Sequence, residues 1–198
     1  MKQDLNNEEV FAIPYQYTMD IDNGFTYCPK EKNIWSKYDN LGKYVPKSAI
    51  DGKKELQQLA PYVVIRSDNF KYFVLQLNMP KKKEYKNTMT IGITDHIKYE
   101  DGLKEPLFKA ATRTLLETVN INVLNNFKFR GYVRELDGDI NNYLGVVFLL
   151  DDIPEDSITV ITKDFVGKWL TKKELIEHYA KFEDWSKHLI NFMVEKEL

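Results

Sequence analysis

With 198 residues, 43% of them hydrophobic, the chain is long enough for one sizeable core and gives no sign of a second. A formal net charge of −2 argues against generic nucleic-acid binding, which usually shows as a basic excess or stripe, and no apolar run approaches the roughly 20 residues that span a bilayer. The single cysteine, Cys28, excludes an intramolecular disulfide and fits a reducing compartment; with no apolar leader in MKQDLNNEEV, a cytoplasmic protein without membrane contact is expected.

In chain order, 10–16 (VFAIPYQ) reads as a strand, and 17–45 as loop-rich, with Trp35 and Tyr38 as aromatic anchors on the main body. Residues 53–59 have modest helical content, ended by the restriction that Pro61 places on the residue before it. Strands over 62–65 and 72–77 are joined across Arg66-Ser67-Asp68-Asn69, a polar turn, which predicts a hairpin. The basic run Lys81-Lys82-Lys83 reads as a solvated loop or hairpin tip.

Leu107, Ala111 and Leu115 repeat at i, i+4 and i+8, with Phe108 and Val119 beside them, so a helix here buries one face against a sheet. Pro106 suits its first turn, where a missing N–H removes no hydrogen bond. On another face Glu105, Lys109, Arg113 and Glu117 lie four apart. Taken alone, that stripe is a ladder of exposed ion pairs, each contributing about 0.2–0.5 kcal/mol.

A second hairpin is predicted from 127–135 and 143–150 around Leu136-Asp137-Gly138-Asp139, since Asp-Gly is a strong turn signal. A strand over 158–162 follows, then a helix over 172–180 with Thr171 and Glu174 as a capping box. The last helix, over 183–197, turns Trp185, Leu189, Phe192 and Met193 to its apolar side. Strands and helices in this order predict an α/β fold, a three-layer α/β/α sandwich around a mixed sheet. His178 and His188 read as surface or packing residues, and the histidines with Cys28 show no zinc-ligand spacing.

Residues 103–122, LKEPLFKAATRTLLETVNIN, resemble a Nudix box, G-x5-E-x7-R-E-U-x-E-E-x-G-U with U a bulky aliphatic. Glu105 and Arg113 keep the E-x7-R spacing, Leu115 and Ile121 keep aliphatic positions, and Glu117 matches the first glutamate of the pair. Thr114 and Thr118 stand at two glutamate positions and Asn120 at the glycine. Upstream, Ile91-Gly92-Ile93-Thr94-Asp95-His96-Ile97 resembles the IGIGGHI strand and turn of a phosphoesterase-like branch of the MutT/Nudix superfamily, with Thr94 and Asp95 on the two glycines. The loop from Asp95 to Glu105 is four residues longer than the pattern. YLGVVFLL at 143–150 resembles the strand after the box, and Phe182-Glu183-Asp184-Trp185-Ser186 the closing FE-x-WS helix. The resemblance covers roughly 58–198, which makes 1–198 one Nudix-like domain in which 1–57 is an N-terminal elaboration.

The resemblance implies a metal-dependent site. Carboxylates of the box would hold Mg²⁺ or Mn²⁺ against a diphosphate, with the arginine bracing them. Glu117 and Glu105 become the metal ligands, Glu117, Arg113 and Glu105 the catalytic residues, and His96 and Asp95 the substrate-binding residues. Glu135, Asp151, Asp152 and Glu155 are candidates for a further acid from outside the helix. Thr114 and Thr118 read either as eroded ligands or as ordinary helix-surface or strand-facing residues; a lone histidine such as His96 is more often structural.

The function expected is therefore that of a divergent Nudix-fold protein binding a nucleoside-diphosphate-type ligand, with pyrophosphohydrolase activity weak or lost. One alternative is an active hydrolase of a nucleoside diphosphate linked to another moiety, using Mg²⁺ or Mn²⁺. The other is a protein-interaction module on the same scaffold, without a cofactor and with a protein partner or a second copy of the chain.

Overall fold

The computed structural model describes residues 8–50, 55–78, 88–121, 127–135 and 143–198. A twisted sheet runs in the order β12 (Phe165–Leu170), β5 (Tyr72–Leu77), β4 (Leu56–Ser67), β10 (Tyr143–Ile153), β9 (Lys128–Arg134), β2 (Gly24–Tyr27). β4 and β10 form its one parallel pair among the described strands, with Tyr62 opposite Val147. β1 (Glu9–Pro14) and β7 (Gly92–Thr94) add to β4, β3 (Lys43–Pro46) to β1, and β6 (Met89–Thr90) to β5. β8 (Val119–Ile121) and β11 (Ile158–Val160) make a separate ribbon.

Alternation along the two central strands explains the layers. Leu144, Val146 and Phe148 of β10 share a cluster with Leu59 of β4 and with Leu107 and Ala110 of α1 (Pro106–Thr118); Leu150 packs with Val63, Ile65, Ala111 and Leu115. The intervening Val147 and Leu149 join Tyr62 and Val64 against Leu175 of α2 (Lys172–Glu177) and Leu189, Ile190 and Met193 of α3 (Asp184–Glu195). Near-continuous hydrophobic strands follow because both faces of this sheet are covered. A fully buried side chain of this kind contributes about 1.5–3 kcal/mol, so the core rests on these central strands. The α/β sandwich expected from the sequence is the observed architecture.

Two expectations need correction. Residues 53–59 do not lean toward helix: β4 already begins at Leu56, and it continues through Pro61. β1 covers β4 at Leu56, Gln57 and Gln58, and β7 covers it from Tyr62, so Pro61 falls between the two antiparallel partners, where its missing donor interrupts neither ladder. Val119 is not helical, since α1 ends at Thr118 and Val119 starts β8. The 17–45 stretch also contains β2 and the start of β3. Its anchors behave as predicted, with Trp35 stacked on Phe148 at 4.2 Å between centroids and Tyr38 buried and bonded to the Tyr132 hydroxyl at 2.9 Å. Wholly buried Arg134 ties down the segment before it, donating to the carbonyls of Thr18 and Ile21 and to Gln57. The Lys81-Lys82-Lys83 run and the Leu136-Asp137-Gly138-Asp139 turn lie outside the described residues.

The closing FE-x-WS motif has a local physical reason. Phe182 fills the core, and the Glu183 carboxylate caps α3 by accepting from the backbone N–H of Trp185 at 2.8 Å and of Ser186 at 2.9 Å. The Ser186 hydroxyl accepts from the Ile91 N–H at 2.9 Å and meets the Tyr62 hydroxyl at 2.8 Å. The motif thus fastens the start of α3 to β4 and to the strand pair that precedes residues 95–96.

Candidate functional site

Residues 95 and 96 follow β7 and lie between two environments, the charged face of α1 and a cleft under the start of α3. On the α1 side, Arg113 forks onto Asp101, Nε to Oδ1 at 3.0 Å and Nη2 to Oδ2 at 3.0 Å. Nη1 donates to Asp95 at 2.9 Å and to Glu117 at 3.2 Å, and Nη2 to the His96 carbonyl at 2.7 Å. These five bonds use all five N–H donors of the guanidinium. Asp101 is only 4% exposed and also caps its own 3-10 turn, accepting from the Lys98 N–H at 2.8 Å. Burial alone would raise the Asp95 pKa, but hydrogen bonds from Lys98 and Arg113 hold it below the ordinary value.

The metal-ligand candidates are spread differently. Glu117 lies on this face with a side chain 55% exposed. Glu105 is the residue before α1, in the left-handed conformation at φ 50, and its backbone N–H donates to Asp39 at 3.1 Å. Thr114 is buried against the sheet with no partner for its hydroxyl, and Thr118 donates its hydroxyl back to the Thr114 carbonyl at 2.8 Å. Magnesium takes near-octahedral oxygen ligands, keeps several waters, and is held by one or two carboxylates together with substrate phosphates. Among the described residues no group of three or more His, Cys, Asp and Glu is placed to hold a metal ion, and of the three box positions on α1 only Glu117 offers a carboxylate.

The acids from outside the helix have other partners. Asp151 sits near the far end of β10 from Tyr143, bound by Arg66 through two 2.8 Å bonds; Glu155 pairs with Lys71 at 3.0 Å, and Asp152 is largely exposed. Glu135 meets His188 Nε2 at 2.7 Å. Burial, with Glu31 beside it, pushes the Cys28 thiol up to about 11, so this sulfur stays protonated and is a poor nucleophile.

On the α3 side of residues 95–96 a cleft of about 270 Å³ is lined by Ala60, Thr94, Asp95, His96, Tyr143 and Trp185. Trp185 lies on Gly145, where a Cβ would come within 2.8 Å of the indole, so only glycine lets the ring settle on β10. The His96 ring is tilted 32° against Tyr143 with centroids 5.7 Å apart. Its Nδ1 is 2.6 Å from Nε2 of Gln58, which is 1% exposed. Burial, reinforced by Lys47, lowers the His96 pKa and keeps the ring neutral. Beyond Trp185 a smaller hollow of about 170 Å³ is lined by Glu135, Glu183, Asp184 and the same indole.

This combination of layers, crossing pair and box helix matches known structures. It superposes on Tm1382, a candidate Nudix hydrolase, with a TM-score of 0.78 at 20% identity, covering 95% of this chain and 99% of that one. The chain has the Nudix fold. A MutT protein from Methanosarcina mazei Go1 matches at TM-score 0.53 and 11% identity over 70% of this chain and 94% of that one. A bifunctional NMN adenylyltransferase/ADP-ribose pyrophosphatase from Francisella tularensis, complexed with AMP and a manganese ion, matches at 0.55 and 12% over 70% of this chain and 41% of its own length. No family model matches the sequence, and no curated protein matches it by sequence.

Within this Nudix fold the residues read from the sequence divide. Arg113, Glu117 and Asp95 come together and His96 joins them through its carbonyl while its ring faces the cleft, whereas Glu105 stands apart, its backbone N–H bonded to Asp39. Asp101, Gln58, Tyr143 and Trp185 were not singled out as site residues. The extra length of the 95–105 loop was the available signal for Asp101, because a longer loop beside a buried arginine needs polar groups to close it.

Proposed function

We propose that this Nudix-fold protein binds a nucleoside-diphosphate-type ligand in the cleft beside His96 and Asp95 without a metal ion, and that pyrophosphohydrolase activity is weak or lost. The observation that carries this reading is the carboxylate set on α1: threonines stand at two glutamate positions, Thr114 is buried against the sheet, and the remaining Glu117 is paired with Arg113. A diphosphate held between metal-bound carboxylates needs charges that this helix lacks. The cleft supplies what a nucleoside moiety needs instead, with aromatic surface from Tyr143, His96 and Trp185 and a neutral ring nitrogen.

Calorimetry with ADP-ribose, in Mg²⁺ and then in chelator, tests the reading together with a turnover assay in Mg²⁺ or Mn²⁺. Binding of equal strength in both buffers and no turnover is the expected result. Metal-dependent turnover that disappears in Glu117→Gln would establish the active hydrolase instead, and absence of nucleotide binding at millimolar concentration would favour a protein-partner role.

A further inference from the structure

The cleft's most specific polar feature is the way His96 is held from behind. An amide nitrogen can only donate, so the 2.6 Å contact from Gln58 Nε2 makes His96 Nδ1 an acceptor and places the ring proton of the neutral imidazole on Nε2. Gln58 is 1% exposed in the middle of the sheet, between β1 and β10, with its amide nitrogen turned to the ring. Among the described residues nothing hydrogen-bonds His96 Nε2, and the ring lines the cleft against Tyr143. Burial and the nearby Lys47 charge both oppose a second ring proton.

We propose that Gln58 is a specificity-determining residue, which fixes His96 as a neutral N–H donor toward the cleft and so selects a ligand that brings a hydrogen-bond acceptor alongside an aromatic surface. Acceptors of this kind are ring nitrogens or carbonyls of a base and phosphoryl oxygens. The ligand part of the inference rests on the proposed function; the proton position does not.

Long-range ¹⁵N–¹H spectra of the whole protein separate the two. With three histidines in the chain, comparison with His96→Gln assigns the ring. The expected spectrum at neutral pH shows His96 with Nε2 protonated and Nδ1 bare. Gln58→Glu keeps the side-chain shape but offers an acceptor, so at pH 9 the proton should move to Nδ1. Binding of a cleft ligand should then weaken about tenfold, the cost of setting acceptor against acceptor. Adenosine, inorganic pyrophosphate and ADP-ribose serve as probes: loss for adenosine assigns the acceptor to the base, loss for pyrophosphate to the phosphate. If Gln58→Glu does not fold, Gln58→Leu releases the ring, and a mixture of both proton positions is expected with a smaller loss of affinity.

A wild-type ring protonated on Nδ1 overturns the proposal, as does a variant in which the proton moves and affinity stays unchanged. If none of the probes binds the wild type while Nε2 carries the proton, the donor assignment stands and the nucleotide reading falls.

Discussion

The two sides of residues 95–96 treat polar groups in opposite ways. Toward α1, Arg113 and its carboxylates satisfy one another so fully that no guanidinium donor is left for a ligand. Toward α3, the cleft is lined by the His96 ring with Tyr143 and Trp185. Ion pairs built this way fix a loop to a helix; a ring nitrogen beside aromatic surface suits the ligand proposed above. The helix that marks the fold therefore braces the cleft wall, and the proposed binding site lies across the sheet from it.

The strongest way to break this contrast is to remove the buried acid. Asp101→Ala should cost about 3 kcal/mol in urea denaturation, because it leaves Arg113 partly uncompensated in a nearly closed site. A loss below about 1 kcal/mol would mean that the pair is not a brace. On the other side, Ser186→Ala leaves the Ile91 N–H without its acceptor and should cost about 2 kcal/mol, seen as a lowered urea midpoint with unchanged slope.

A smaller effect separates the sides by pH. Asp95 has a folded pKa below its ordinary 3.8, so its contribution is fully present above that value and is lost as pH falls through the depressed one. Asp95→Asn should flatten the acid limb of the stability profile there; an unchanged limb would show that Lys98 and Arg113 do not favour the charged form. Smallest of all, Glu117→Ala should change stability by no more than about 0.5 kcal/mol, since its pair with Arg113 is solvent-exposed on one side.

Much of the architecture could be read from the residues. The period of Leu107, Ala111 and Leu115 set the buried face of α1, the Thr171 and Glu174 pair capped α2 as spacing predicts, and the hydrophobic strand of 143–150 became the sheet's centre. β4 was only partly legible, because Pro61 normally argues against a central strand and only the gap between β1 and β7 makes it acceptable. In the site, Arg113 and Glu117 followed from i,i+4 spacing on one helix. Asp101 and Gln58 did not, since one reaches Arg113 from a loop and the other meets His96 from a strand far back in the chain. Such pairings are set by tertiary packing and leave no local period.

The parallel pairing of β4 with β10 bears on how the molecule comes into being. β4 holds Tyr62, Val63 and Val64, all buried on completion, yet the strand that lies beside them is made only after β7 and α1 have emerged. Until then, an apolar strand must wait with one edge open. Long-range parallel pairing of this kind closes slowly, so Val147→Ala, opposite Tyr62, is expected to slow refolding as well as lower stability. The sheet's central seam is thus one that the nascent chain can close only after three-quarters of its length has been made.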